Sequence, residues 1–129
     1  MPIIVYNRGK EDHSTHPYNF PIYRGGSVLG NPYTDKPLTK TMAVYQVKNR
    51  EEAIQRYGSY FDMQYGRNKE FTEIIDCIYE LYKMGETIYL ECYCHPLPCH
   101  GDIIVEKLQK RLLKEKIKEA KERKKNEMG

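Results

Sequence analysis

Apolar and polar positions divide the chain into six ordered stretches. Pro2–Tyr6 (PIIVY) is a β-branched run and predicts a first strand. Residues 7–21 are polar, carry His13, His16, Pro17 and Pro21, and predict a loop. A short strand over Pro21–Arg24 leads into a glycine-rich turn. Thr34–Lys48 has no period and predicts loop. Asn49 suits the cap of a helix in which Ala53, Ile54, Tyr57, Tyr60, Phe61 and Tyr65 recur at spacings of three and four, with Gly66 as its stop. Asn68 opens a second helix, with Phe71, Ile74, Ile75, Ile78, Leu81 and Tyr82 on one stripe, ending at Gly85. Thr87–Cys92 alternates, placing Ile88, Leu90 and Cys92 on one face and Tyr89 and Glu91 on the other. A last helix runs from about Asp102 through Ile104 and Leu108 to about Ile117, where its apolar stripe fades into KEAKERKKNEMG.

Strand, strand, two helices, strand, helix is the order of a small α/β domain with a mostly parallel sheet. Residues 1–113 are expected to form that domain and residues 114–129 a basic helical extension or tail. Sheets of this kind carry their sites beyond the C-terminal ends of the strands. Two loops follow predicted strands, Arg24–Pro32 and Cys92–Asp102, and the fold would bring them to one end.

Charge sharpens the division. The net charge is +3, but Lys114–Lys125 holds seven basic and three acidic residues, a local +4. The body is therefore close to neutral. A basic tail of this kind can meet nucleic acid, although a solvated helix end is the commoner outcome. No stretch approaches the ~20 apolar residues of a membrane span, and Met1–Gly9 lacks the pattern of a signal peptide. A cytoplasmic protein is expected, and its four cysteines point to thiols or metal rather than disulfides.

Candidate chemistry lies in the two loops. In the first, Gly26, Gly30 and Asn31 allow close backbone approach to a ligand, Ser27 adds a hydroxyl and Arg24 a cation. The spacing is neither a Walker A loop nor GxGxxG. Gly-Gly and Asn-Pro can equally close a pair of turns. The second loop packs three cysteines and two histidines into Cys92–His100. Asp102 is a good N-cap, and the amides near Gly101 would be open to an anion. Cys99, just before a helix, is placed for a lowered thiol pKa and for nucleophilic attack, with His100 or Asp102 as acid or base. Cys94 and Gly101 would line the ligand. Zinc is an alternative, held through Cys92, Cys94 and Cys99 with His95 or His100. The plainest reading makes Cys92 a core residue, Cys94 a loop residue and His100 a bracket for the loop. Cys77 lies within a helix, outside the site. His13 and His16 are weak ligand candidates. The twelve tyrosines suit core edges better than base stacking.

Arg24–Tyr33 (RGGSVLGNPY), the helix EEAIQRYGSYF, and Cys92–Tyr93–Cys94 followed by Cys99–His100–Gly101–Asp102 together resemble the domain-of-unknown-function 4326 family. The resemblance runs from about Ile22 to Leu113. Tyr93 stands where the family commonly has Trp, and the loop with His13 and His16 is longer than expected. The resemblance implies a Rossmann-like three-layer fold in small bacterial and bacteriophage proteins, and it implies no reaction. The expectation is therefore a protein that binds a nucleotide or nucleoside phosphate between the two loops. Hydrolysis or group transfer on that ligand would follow if it is an enzyme. The alternatives are a non-catalytic binder that sequesters a nucleotide signal, or a zinc-stabilised module that binds nucleic acid through the tail.

Overall fold

A computed structural model describes residues 3–36, 38, 43–93 and 97–128, with the side chains of 127 and 128 left aside. Among these residues it is a mixed α/β fold with a small parallel sheet and three helices. Strands β1 (Ile3–Asn7), β2 (Asn19–Pro21) and β5 (Ile88–Cys92) form the sheet in the order β1-β5-β2, with both neighbours parallel to β5. A second, two-stranded parallel ladder joins β3 (Tyr33–Thr34) to β4 (Tyr45–Gln46). The helices are α1 (Arg50–Gln64), α2 (Lys69–Lys83) and α3 (His100–Met128).

Local chemistry explains the helix ends. Asn49 Oδ1 accepts from the Glu52 amide at 2.8 Å, while the Glu52 carboxylate accepts from the Lys48 amide. Asn68 Oδ1 accepts from the Phe71 amide at 3.1 Å. Gly66 and Gly85 follow α1 and α2 with φ of 89° and 78°, the left-handed region that ends helices most readily at glycine.

Ile88, Leu90 and Cys92 point into one core shared with all three helices, through Tyr57 and Phe61, Phe71 and Ile75, Ile104 and Leu108. Tyr89 and Glu91 face the other side, as alternation requires. That face is covered by the 8–18 loop: His13 stacks flat on Tyr89, with ring centroids 4.1 Å apart, and His16 meets it edge-on. This loop layer stands where a three-layer Rossmann-like domain would carry further helices. His13 and His16 thus act as packing rings. The buried Glu91 is braced by Arg8 Nε at 3.1 Å and by Asn19 Nδ2 at 3.2 Å.

Three sequence expectations shift. The strand expected over Pro21–Arg24 pairs instead over Asn19–Pro21, and the chain turns at once, with the Gly26 amide donating to Tyr23 O at 2.9 Å. Pro21, which has no N–H, is tolerated because β2 is an edge strand. The β3–β4 ladder falls within a stretch expected to be loop, since two residues per strand carry no readable period. The last helix starts at His100 rather than Asp102 and continues to Met128. From Leu113 to Asn126 it is exposed, apart from a half-buried Glu115. Pro2, at the edge of the expected first strand, lies outside the described residues.

Candidate functional site

Because β1, β5 and β2 are parallel, the loops after β2 and β5 leave from one edge of the sheet. Three contacts hold the β2 loop in place. Tyr57 Oη donates to Leu29 O at 2.7 Å, and Asn31 Nδ2 donates to Ala53 O at 3.1 Å, both from or to α1. His100 Nε2 bonds Ile22 O at 2.6 Å, tying the first residue of α3 to the end of β2. Between the loops and α1 lies a cleft of about 90 Å³. Arg24, Asn31, Cys99 and His100 line it, together with Tyr33, Asp35, Lys36, Arg50 and Pro98. The two loops singled out by sequence therefore converge, with Asn31 and His100 on the same cleft.

Several expected ligand groups are committed to the protein. Ser27 Oγ donates to Pro21 O at 2.6 Å and accepts from the Leu29 amide. Asn31 Oδ1 accepts from the Tyr33 amide at 3.0 Å, so both ends of its buried amide are used. The glycines answer to packing. A Cβ on Gly26 would lie 2.9 Å from the Tyr23 ring, and one on Gly30 2.9 Å from Arg24 Cα. On Gly101 it would lie 2.8 Å from Ile22 Cδ1 and 3.1 Å from Val5 Cγ1, where α3 presses on the sheet. Gly25, with φ of 84°, holds the turn.

The start of α3 corrects the sequence reading most. Cys99, and not Asp102, occupies the N-cap position. The Gly101 amide donates to Cys99 Sγ at 3.3 Å and the Asp102 amide to Cys99 O at 3.1 Å. Asp102 Oδ2 reaches back to the Cys99 amide at 3.2 Å, the carboxylate half of a capping box one turn in. The amides of Cys99, Gly101 and Asp102 at this helix end are thus taken up by its own groups.

Cys99 is 3% exposed, and its S–H points at Cys92 Sγ, 3.9 Å away. That contact, together with burial, pushes the Cys99 thiol pKa up, opposite to the lowering expected at a helix start. A thiol held neutral is a poor nucleophile. His100 is buried against Tyr57, ring centroids 4.8 Å apart, and burial lowers its pKa to about 4. It is therefore neutral at pH 7. With Nε2–H donated to Ile22 O, only Nδ1 is left as an acceptor. Cys94 and His95 lie outside the described residues, as does Pro96. Among the described residues no three His, Cys, Asp or Glu side chains gather where a metal ion could sit. Thiol accessibility gives a direct check. Alkylation of the folded protein is expected to modify the exposed Cys77 and to spare Cys92 and Cys99 until denaturant is added, as peptide mass spectrometry would record. Rapid labelling of Cys99 in the folded state would contradict this burial.

What remains for a ligand is cationic. Arg24 is braced by Nη1 bonds to Asn31 O at 2.9 Å and Tyr33 O at 3.2 Å. Its other guanidinium nitrogens have no hydrogen-bond partner among the described residues. Arg50 makes one long contact, Nη1 to Pro98 O at 3.4 Å, and Lys36 is exposed at the rim. Three cations from three separate segments face one carboxylate, Asp35. Beside them Tyr33 stacks on the exposed Tyr45, centroids 5.1 Å apart. Sequence reasoning found Arg24 and missed Lys36, Arg50 and Tyr33. Lys36 sits in a stretch without period, and Arg50 is the first residue of a helix, where a basic side chain signals nothing beyond a solvated surface.

No helix among the described residues is long and apolar enough to cross a membrane. No curated protein and no solved structure matches the chain. One family does: the match to the domain of unknown function (DUF4326) spans residues 5–110, which takes in both loops, the whole cleft and the first turns of α3. The chain is a member of the DUF4326 family.

Proposed function

We propose that the protein binds a small phosphorylated ligand, a nucleotide or nucleoside phosphate, in this cleft. The observation that carries the reading is the meeting of Arg24, Lys36 and Arg50 around one small cavity at the C-terminal edge of a parallel sheet. Ligands settle at that edge in α/β folds. A volume of about 90 Å³ is well below that of a pocket enclosing a whole ligand. It suits a phosphate group, with the remainder of the ligand outside. The Tyr33–Tyr45 pair at the rim offers rings on which a base could stack.

The groups first considered for chemistry favour binding over turnover. Cys99 caps a helix and is held as a thiol, His100 spends Nε2 on Ile22 O, and Asp102 closes the cap. The reading is accordingly a binder rather than a hydrolase or transferase. Calorimetric titration of the full chain with nucleoside mono-, di- and triphosphates, the free nucleosides and inorganic phosphate tests it. Phosphorylated members are expected to bind and to be recovered chemically intact after long incubation, while free nucleosides are not. Failure of every phosphorylated member, or equal binding of nucleosides, would overturn the reading; conversion of a bound ligand would replace the binder with an enzyme.

A further inference from the structure

Helix α3 outruns the domain it packs on. Its exposed part has little with which to bury itself: among the described side chains Leu113 and Ile117 are the large apolar ones there, 59% and 47% exposed. Along one side, however, basic residues recur at spacings of four and three: Lys107, Arg111, Lys114, Lys118, Lys121 and Lys125. At 3.6 residues per turn these fall on one stripe, about 27 Å long at ~1.5 Å per residue.

The two inner members are already neutralised by the body. Lys107 Nζ pairs with Asp62 at 2.9 Å, and Arg111 pairs with Asp76 at 2.9 Å while lying over the Tyr79 ring. The outer four, Lys114, Lys118, Lys121 and Lys125, have no ion pair among the described residues. Charged surface helices ordinarily set acid against base at i,i+4, and like charges at that spacing cost stability. Here Lys114–Lys118 and Lys121–Lys125 are like-charged i,i+4 pairs, and Lys118–Lys121 is an i,i+3 pair. Glu115, on the neighbouring side of the helix, is instead turned to Lys83 and Tyr79. Glu122 lies on the same patch, four residues after Lys118, but makes no ion pair with the lysines among the described residues, so the four cations stand without a close partner.

We propose that this stripe docks on the phosphate backbone of a nucleic acid. The occupant follows from charge complementarity. A polyanion with one charge per ~1.7 Å of duplex axis can face all four outer lysines at once. A membrane surface would require an apolar face opposite the charges, which two residues do not supply. An acidic protein partner would normally meet a cluster of aromatic or aliphatic anchors, and among the described residues the stripe has a single Ile117 beside it. Binding of this kind reads no sequence, because lysines on phosphates position without specifying. It is independent of the cleft, whose cations lie on other segments.

The test uses the full chain and a fluorescein-labelled DNA duplex of about 24 base pairs, with a single-stranded RNA of the same length beside it, read by anisotropy between about 50 and 200 mM salt. Four phosphate contacts predict a log–log salt slope of about −3.6 on duplex, an affinity loss on the order of 100-fold across that range. The variant K114Q/K118Q/K121Q/K125Q is expected to lose nearly all of that slope. The off-stripe variant K116Q/R123Q should stay within about threefold of wild type, and the four-fold Lys→Arg replacement on the stripe should retain binding. The proposal is overturned if wild type fails to bind either nucleic acid at low salt. It is equally overturned if the off-stripe variant loses as much as the stripe variant, or if anionic vesicles or polyglutamate bind while nucleic acid does not.

Discussion

Replacing His100 by glutamine is expected to remove most of the protein's loss of stability between pH 6.5 and pH 4. His100 titrates near pH 4 in the folded protein, against an ordinary value of 6.5, because its ring is buried. The unfolded chain therefore takes up a proton at this residue as pH falls below about 6.5, while the folded chain resists until about pH 4. Stability is full above 6.5 and drains away as pH drops through that window. A difference of that size corresponds to about 3 kcal/mol at most. Glutamine keeps a donor for Ile22 O and does not titrate. The variant should be modestly less stable than wild type at pH 7 and should close or reverse the gap near pH 4.5. Leucine, which leaves Ile22 O unpaired, should cost a further ~1–3 kcal/mol at every pH. Urea melts of the three proteins at pH 7 and pH 4.5 check this. Parallel pH dependence in wild type and His100→Gln would show that the imidazole is not the group that loses stability in acid.

The second large effect concerns binding. The double variant Lys36→Gln/Arg50→Gln is expected to weaken binding of a nucleoside phosphate by roughly 100-fold, two charge-assisted contacts at ~1.5 kcal/mol each. Folding should change little, because Lys36 is exposed and the Arg50 contact to Pro98 O is 3.4 Å long. Arg24 is a less clean probe. Its bonds to Asn31 O and Tyr33 O also shape the loop, so its loss would mix ligand contact with loop order. Denaturant midpoints measured alongside the titrations separate the two causes.

Much of this arrangement is legible in the chain. Asn49, Asn68, Gly66 and Gly85 mark α1 and α2 because caps and stops act locally. The convergence of the two loops follows from their each succeeding a strand of one parallel sheet. What sequence could not provide is the use to which polar atoms are put. Asn31 and Ser27 look like ligand groups until the backbone atoms they serve, Ala53 O and Pro21 O, are in place. The α3 start looks open until Cys99 Sγ is seen to accept from the Gly101 amide. A thiol is an unusual cap, and standard capping preferences pass over it. The fall of the Cys99 reading has the same origin. Proximity to a helix end argues for a thiolate, but burial beside Cys92 acts in the other direction and prevails. Glu91 was visible only as a polar interruption in a strand; its partners Arg8 and Asn19 come from strands or loops more than seventy residues away.

The proposed function depends on phosphate entering the cleft beside Arg24, Lys36 and Arg50. Amide chemical-shift mapping of the full chain during titration with a nucleoside monophosphate tests it most directly. Saturable shifts are expected at Arg24, Tyr33 to Lys36, Arg50 and Cys99–His100, and they should disappear in the Lys36→Gln/Arg50→Gln variant. Shifts confined to the α3 extension or to the 8–18 loop, with those amides unmoved, would contradict the account.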